Sequence, residues 1–234
     1  MNSNFVRFAI AAVAVLLAAI IGFIYFSGSG VGDDTAPSPP PSAAVSPSAL
    51  PFTTNDVPAG TYSLRQFPVG ITFEIPAGFV SCSAGPVEQA VCWDTTDTEF
   101  GFAVGFLIVD NVVADPCGSG ASLRDPPAGP SVEALVTAIS NLDGFEATEA
   151  KDITVDGFSG SEFTVTAPVD AGCDLKTWVT RTRANGVGPG EINLLRILDV
   201  DFVRVMISGA YHPETAAEQV SIMEQVMDSV RIER

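Results

Sequence analysis

The sequence predicts an α+β domain: a largely antiparallel sheet of six to eight strands with two main helices, layered as an α/β/α sandwich behind an N-terminal transmembrane helix. Three observations predict it. Residues 100–109 are apolar on both faces, with Phe100, Phe102, Val104, Phe106 and Ile108 on one and Gly101, Ala103, Gly105, Leu107 and Val109 on the other. That is the pattern of a central strand covered from two sides. Two stretches, after Ser131 and after Pro213, carry apolar residues at helical spacing. The rest of the C-terminal three quarters is built of short alternating runs joined by Gly, Pro and Asp turns, the mark of antiparallel hairpins.

The chain begins with residues 8–26, FAIAAVAVLLAAIIGFIYF, nineteen residues without a charge. At about 1.5 Å per residue, a helix of that length spans roughly the 30 Å hydrocarbon core of a bilayer. Arg7 precedes it and Asp33 and Asp34 follow, which points to residues 1–7 as a cytoplasmic stub and to an outward C-terminus. Tyr25 and Phe26 fall where interfacial aromatics sit. The expected location is the cell membrane, single-pass, with the folded part outside. The alternative is a cleaved signal peptide and secretion; the run is longer than an ordinary h-region, and Ser27-Gly28-Ser29 is a poor cleavage site.

Residues 27–60 read as a disordered linker. Within it, 37–51 hold six Pro and four Ser in fifteen residues, a composition that favours extended polyproline II over a packed core. Residues 61–234 are long enough for one domain with a full core. They contain 25 acidic and 10 basic residues, a net charge of −15 within a chain total of −17. Such a surface repels phosphate backbones and anionic headgroups, so no nucleic acid is expected as a partner, and membrane contact is expected only through the N-terminal helix.

Within the domain, 62–66 and 71–75 read as strands broken by Pro68 and Gly70. Residues 79–82 and 89–94 flank the turn-rich SAGPVE, and the strand over 100–109 follows. The Pro- and Gly-rich stretch 115–130 forbids regular structure. Ser131 then caps a helix whose apolar face is Val132, Leu135, Val136, Ile139 and Leu142, and Gly144 closes it. Residues 152–155 and 161–167 form a hairpin about Asp156-Gly157, with Phe163, Val165 and Ala167 on one face. A strand with Trp178 covers 175–183, and 191–200 with 202–210 make the last hairpin, turning near 199–201. Pro213 starts the final helix, whose stripe is Val220, Met223, Val226, Met227 and Val230.

The four cysteines, Cys82, Cys92, Cys117 and Cys173, are scattered and even in number, as in a disulfide framework outside the cytoplasm. Of three pairings, Cys82–Cys92 staples a hairpin, and Cys117–Cys173 ties the long loop to residues 168–174; this pairing is favoured. A zinc site lacks support, since no C-x-x-C occurs and His212 is the only histidine.

Catalytic signals are sparse. Any Ser–His or Cys–His device would need His212, which stands at a predicted helix start. Gly157-Phe-Ser159-Gly-Ser161 fails the nucleophile-elbow pattern at its fifth position. The glycines of 186–190, GVGPG, include Pro189 and precede no Lys, so they read as a turn rather than a phosphate cradle. Asp94, Asp97 and Glu99 crowd together without calcium-loop spacing. No metal and no cofactor is expected. Phe67, Phe73, Phe79, Trp93, Phe145, Phe158 and Phe202 punctuate turns and strand ends, and any that surface together would mark a contact patch.

From about Pro130 onward, the order SVEALVTAISNLDGFEAT, DITVDGFSGSEFTVTAP, a Cys, a Trp strand and RILDVDFVRVMISGAYHPETAAEQVSIMEQVMDSVRI resembles the PsbP/Mog1-like α/β/α sandwich of secreted and membrane-anchored bacterial domains. The resemblance implies that fold and, by analogy, a non-enzymatic role; it brings no functional residue with it. The expected function is a membrane-tethered extracytoplasmic binding or accessory module, not an enzyme, whose partner is an envelope protein or a small ligand. The alternatives are a hydrolase using carboxylates alone and a sensor acting through a partner membrane protein.

Overall fold

The computed structural model describes residues 46–51, 56–93, 101–118, 122–181 and 183–233. The apolar stretch 8–26 lies outside them, as do Asp94, Asp97 and Glu99. Among the described residues no helix is long and apolar enough to cross a membrane.

The elements run β1 Ser48–Ala49, β2 Asp56–Val57, β3 Gly60–Ser63, β4 Ile71–Ile75, β5 Phe79–Gly85, β6 Glu88–Trp93, β7 Phe102–Val112 and α1 Val132–Ser140. They continue β8 Glu146–Ala147, β9 Lys151–Val155, β10 Phe158–Thr166, β11 Lys176–Thr180, β12 Ala184–Gly186, β13 Ile192–Val200, β14 Val203–Tyr211, α2 Ala217–Asp228 and β15 Arg231–Ile232. The main sheet holds eleven strands in the order β2-β5-β6-β7-β14-β13-β10-β8, with β9 paired to β10, β11 to β7, and β12 to β11. All its pairs are antiparallel. A second sheet, β1-β3-β4-β15, has four strands.

The expected α+β sandwich is therefore present, but six to eight strands was too few. The extra strands are two or three residues long, below the length at which alternation can be read. The linker boundary also moves. Ser48–Ala49 and Asp56–Val57 are strands, and Leu50 and Val57 are each 1% exposed. Proline content hid them, although Pro47 and Pro51 sit at the ends of a two-residue edge strand, where a missing N–H costs nothing.

β7 is the centre, as its doubly apolar sequence demands. Its Phe102, Val104 and Phe106 face one core with Ile71, Phe73, Phe79 and the α2 residues Met223, Val226 and Met227. Its Leu107, Val109 and Val112 face a second core with Leu135 and Ile139 of α1, Phe163 and Trp178. The first face is thus covered by α2 and the small sheet, the second by α1 and the hairpin β11–β12. Buried Gln89 joins the two sheets: its Oε1 accepts from Arg65 N at 3.1 Å, and its Nε2 donates to the carbonyls of Arg65 and Gly85.

Local signals hold where physical chemistry is local. Ser131 Oγ accepts from Ala134 N at 3.1 Å and caps α1. Asp156 and Gly157, at φ 49° and 88°, turn β9 into β10. The last helix begins at Ala217 rather than Pro213, because Thr215 first closes a turn: its Oγ1 accepts from His212 N, and its N–H donates to His212 O. Asn111 and Arg204 anchor the long loop. Asn111 Oδ1 accepts from Ala128 N, and Arg204 donates to the carbonyls of Val109, Gly129 and Ser131.

Candidate functional site

The strand registers place side chains of the second face in rows across β6, β7, β14 and β13. One row reads Glu88, Leu107, Met206, Ile197. The next is Ala90, Gly105, Ser208, Leu195, and the one after is Cys92, Ala103, Ala210, Asn193. Leu107, Met206 and Ile197 belong to the core that α1 covers. Beyond them the side chains on β6, β7 and β14 become small: Ala90, Gly105 and Ser208, then Ala103 and Ala210. The hairpin β11–β12 stands over this part instead, leaving a cleft of about 130 Å³ between it and the sheet. Ala90, Ala103, Gly105 and Ala210 line the floor, and Trp178 and Val187 line the side.

The polar groups of the cleft form a connected line. Ser208 Oγ donates to Asn193 Oδ1 at 3.2 Å, and Asn193 Nδ2 donates to Glu191 Oε1 at 2.9 Å. Glu191 Oε2 accepts from Gly188 N at 3.0 Å. Asn193 and Ser208 are 4% and 6% exposed. A buried polar side chain is costly unless bonded, so its presence needs a reason. At the other end, Glu88 accepts from Ser83 Oγ at 3.1 Å, from Arg183 Nε at 3.1 Å and from Arg183 Nη2. The Glu88 hydrogen bond holds the Arg183 guanidinium above its ordinary value, against the opposing effect of burial.

Two wider grooves lie on the first face. One, of about 320 Å³, runs between β9–β10 and α2. Its charges already answer one another: Arg196 bonds Glu162 Oε2 at 2.8 Å and Asp228 Oδ1 at 2.7 Å. Burial pushes that guanidinium down, and these two carboxylates more than restore it. The groove is a clamp of α2 onto the sheet. The other, about 440 Å³, is lined by exposed residues such as Glu74, Pro76 and Gln225. Size favours these grooves, but buried polar groups favour the cleft, and burial is the more informative property.

Of the residues singled out in the sequence, the structure joins Cys82 to Cys92 and Cys117 to Cys173, with Cα separations of 5.8 and 5.6 Å. Cys82 occupies a bulge in the β5–β6 register. Two disulfides fit an extracytoplasmic domain. His212 reaches the edge of the cleft: its ring and Glu191 Oε2 both lie within 3.5 Å of where a Cβ on Gly188 would stand. GVGPG is a turn, with Gly190 at φ 71° and Glu191 N donating to Gly188 O. Ser159 lies in β10, remote in register from Ser208. The aromatics do not surface together. Phe73 and Phe79 are core, Phe67, Trp93, Phe145 and Phe158 are half-buried, and Phe202 alone among them is fully exposed. Sequence reasoning missed Glu88, Glu191, Asn193 and Ser208. The readable signal was the small face of 101–105, which looked like ordinary cover.

No protein-family model matches the chain, and none of the curated proteins matches it. Among solved structures, the chain is similar to LpqN of Mycobacterium tuberculosis, described as involved in cell envelope biogenesis, with 11% identity and a TM-score of 0.39 over 75% of this chain and 92% of that one. It is also similar to the cyanobacterial PsbP of Synechocystis sp. PCC 6803, with 12% identity and a TM-score of 0.38 over 75% and 93%. Neither brings a site residue to this chain.

Proposed function

We propose that this chain is a non-catalytic binding module, held on the outer side of a membrane by residues 8–26, that takes a small ligand in the cleft between β11–β12 and the sheet. One observation carries the reading. Asn193 and Ser208 are buried beside Ala90, Ala103, Gly105 and Ala210, where large apolar side chains would have closed the space. Small walls with a few placed polar groups make a ligand site. A non-catalytic role is supported by the chemistry of the line. The Ser208 hydroxyl donates to an amide oxygen, which is no base, and Glu88 is engaged by Arg183.

The test is a fragment screen by NMR on residues 46–234 with both disulfides intact, alongside Ala103→Leu and Ala210→Leu. These two residues face each other across β7 and β14. Fragments are expected to move signals of residues 88–90, 103–107, 178–187 and 208–210, and both variants are expected to abolish the response. Hits confined to the grooves beside α2, or turnover of an ester or amide fragment, would remove this reading.

A further inference from the structure

We propose that the cleft recognises a compact alkylammonium group; this rests on the cleft being the binding site. The lining contains the carboxylates of Glu88 and Glu191, the side chains of Asn193 and Ser208, and the aromatic side chain of Trp178, and it contains no Lys or Arg. The two carboxylates differ in kind. Glu88 is neutralised from outside the lining by Arg183. Glu191 is held by two uncharged donors, Asn193 Nδ2 and Gly188 N, which fix its position and leave its charge in place. An anion entering the cleft would meet that charge, and the cations nearest to it, Lys176 against Gly186 and His212 against Gly188, stand outside the lining. A neutral polar ligand would compete with bonds already made. A cation gains from Glu191 and from the Trp178 ring, the pairing that suits ammonium groups too large and too apolar to be held by hydrogen bonds alone.

The size agrees. The cleft, of about 130 Å³, suits a group of a few non-hydrogen atoms, and a tetramethylammonium ion has five. The floor of methyl groups and glycine offers apolar contact to methyls on nitrogen, and the polar line lies along one side.

The probe is tetramethylammonium chloride, titrated against the full chain in uncharged detergent micelles while the Trp178 indole N–H signal is followed, with tert-butanol as a neutral solute of equal non-hydrogen atom count. The cation is expected to shift the Trp178 signal, to bind about fivefold more weakly to Glu191→Gln, and to weaken with added salt. Ala103→Leu is expected to abolish the shift. If tert-butanol binds as well as the cation, the ammonium class falls and the cleft stands as a site. If neither moves Trp178, or both bind Ala103→Leu unchanged, the class and the cleft fall together. Choline in solution and phosphatidylcholine vesicles then separate a free solute from a lipid headgroup. Binding of either with loss in Glu191→Gln supports the ammonium class, and binding of neither overturns it.

Discussion

Gly209 and Gly105 lie on paired strands, one row apart, and face opposite sides of the same sheet. A Cβ on Gly209 would stand 2.6 Å from Met227 Sδ and 2.8 Å from Met223 Sδ, so that glycine is absent volume already filled by α2. A Cβ on Gly105 would meet Leu107 Cδ1 at 3.3 Å and otherwise nothing nearer than 3.9 Å. Here the absent side chain leaves a cleft. Two glycines, read alike in the sequence, mark a filled place and an open one in the same sheet. The first face is held by packing. At the cleft end of the second face the cover packs through Leu175, Trp178 and Val187 and is fastened as well by a disulfide and by polar bonds.

The largest test of that difference is the disulfide beside the cover. Cys117–Cys173 closes a loop across a sequence separation of 56 and fastens the segment that leads into β11. In the chain-entropy model such a loop contributes about 4 kcal/mol. The double variant Cys117→Ser/Cys173→Ser is expected to lose about that much in denaturant unfolding, with amide exchange rising first in β11–β12. Exchange rising first in α2 would reverse the assignment of which face depends on covalent ties.

Next comes the pair of glycines. Gly209→Ala drives a methyl into buried methionines and is expected to cost about 1–3 kcal/mol by thermal unfolding. Gly105→Ala meets only the terminal methyl of Leu107, which can shift by a few tenths of an ångström, and is expected to stay within about 0.5 kcal/mol of the parent, while weakening any ligand of the cleft. Equal losses in the two variants would mean that the cleft closes in solution.

How much of this was legible follows the range of the interactions. The cap at Ser131, the stripe of α2, the Asp156-Gly157 turn and the double-faced β7 are decided within a few residues, and the sequence displays them. The small side chains Ala90, Ala103, Gly105, Ser208 and Ala210 come from three strands, β6, β7 and β14, so no local window contains them. Phe202 is a third case, where local reasoning is overridden. Asp201 and Phe202 adopt φ 49° and 68°, close to the Asp156-Gly157 turn, yet the second position carries a fully exposed phenylalanine. A left-handed backbone costs a residue with a Cβ roughly 1 kcal/mol. Phe202→Gly is therefore expected to stabilise the domain by about 1 kcal/mol, seen as a higher melting temperature. A loss instead would mean that the ring makes a stabilising contact in solution.

The smallest effect is the most discriminating. Ser208→Ala removes the hydroxyl that donates to Asn193 Oδ1 at 3.2 Å. In a dry core the abandoned amide oxygen would cost about 1–3 kcal/mol. In a cleft that water can enter, a solvent molecule takes the place of the hydroxyl, and the variant is expected to lie within about 0.5 kcal/mol of the parent in urea unfolding. The same change in a sealed interior and in an open site thus differs severalfold. A loss above about 2 kcal/mol would make the polar line of Ser208, Asn193 and Glu191 a structural network sealed from solvent. It would then have no ligand to receive, and the contrast between the two faces would be one of packing alone.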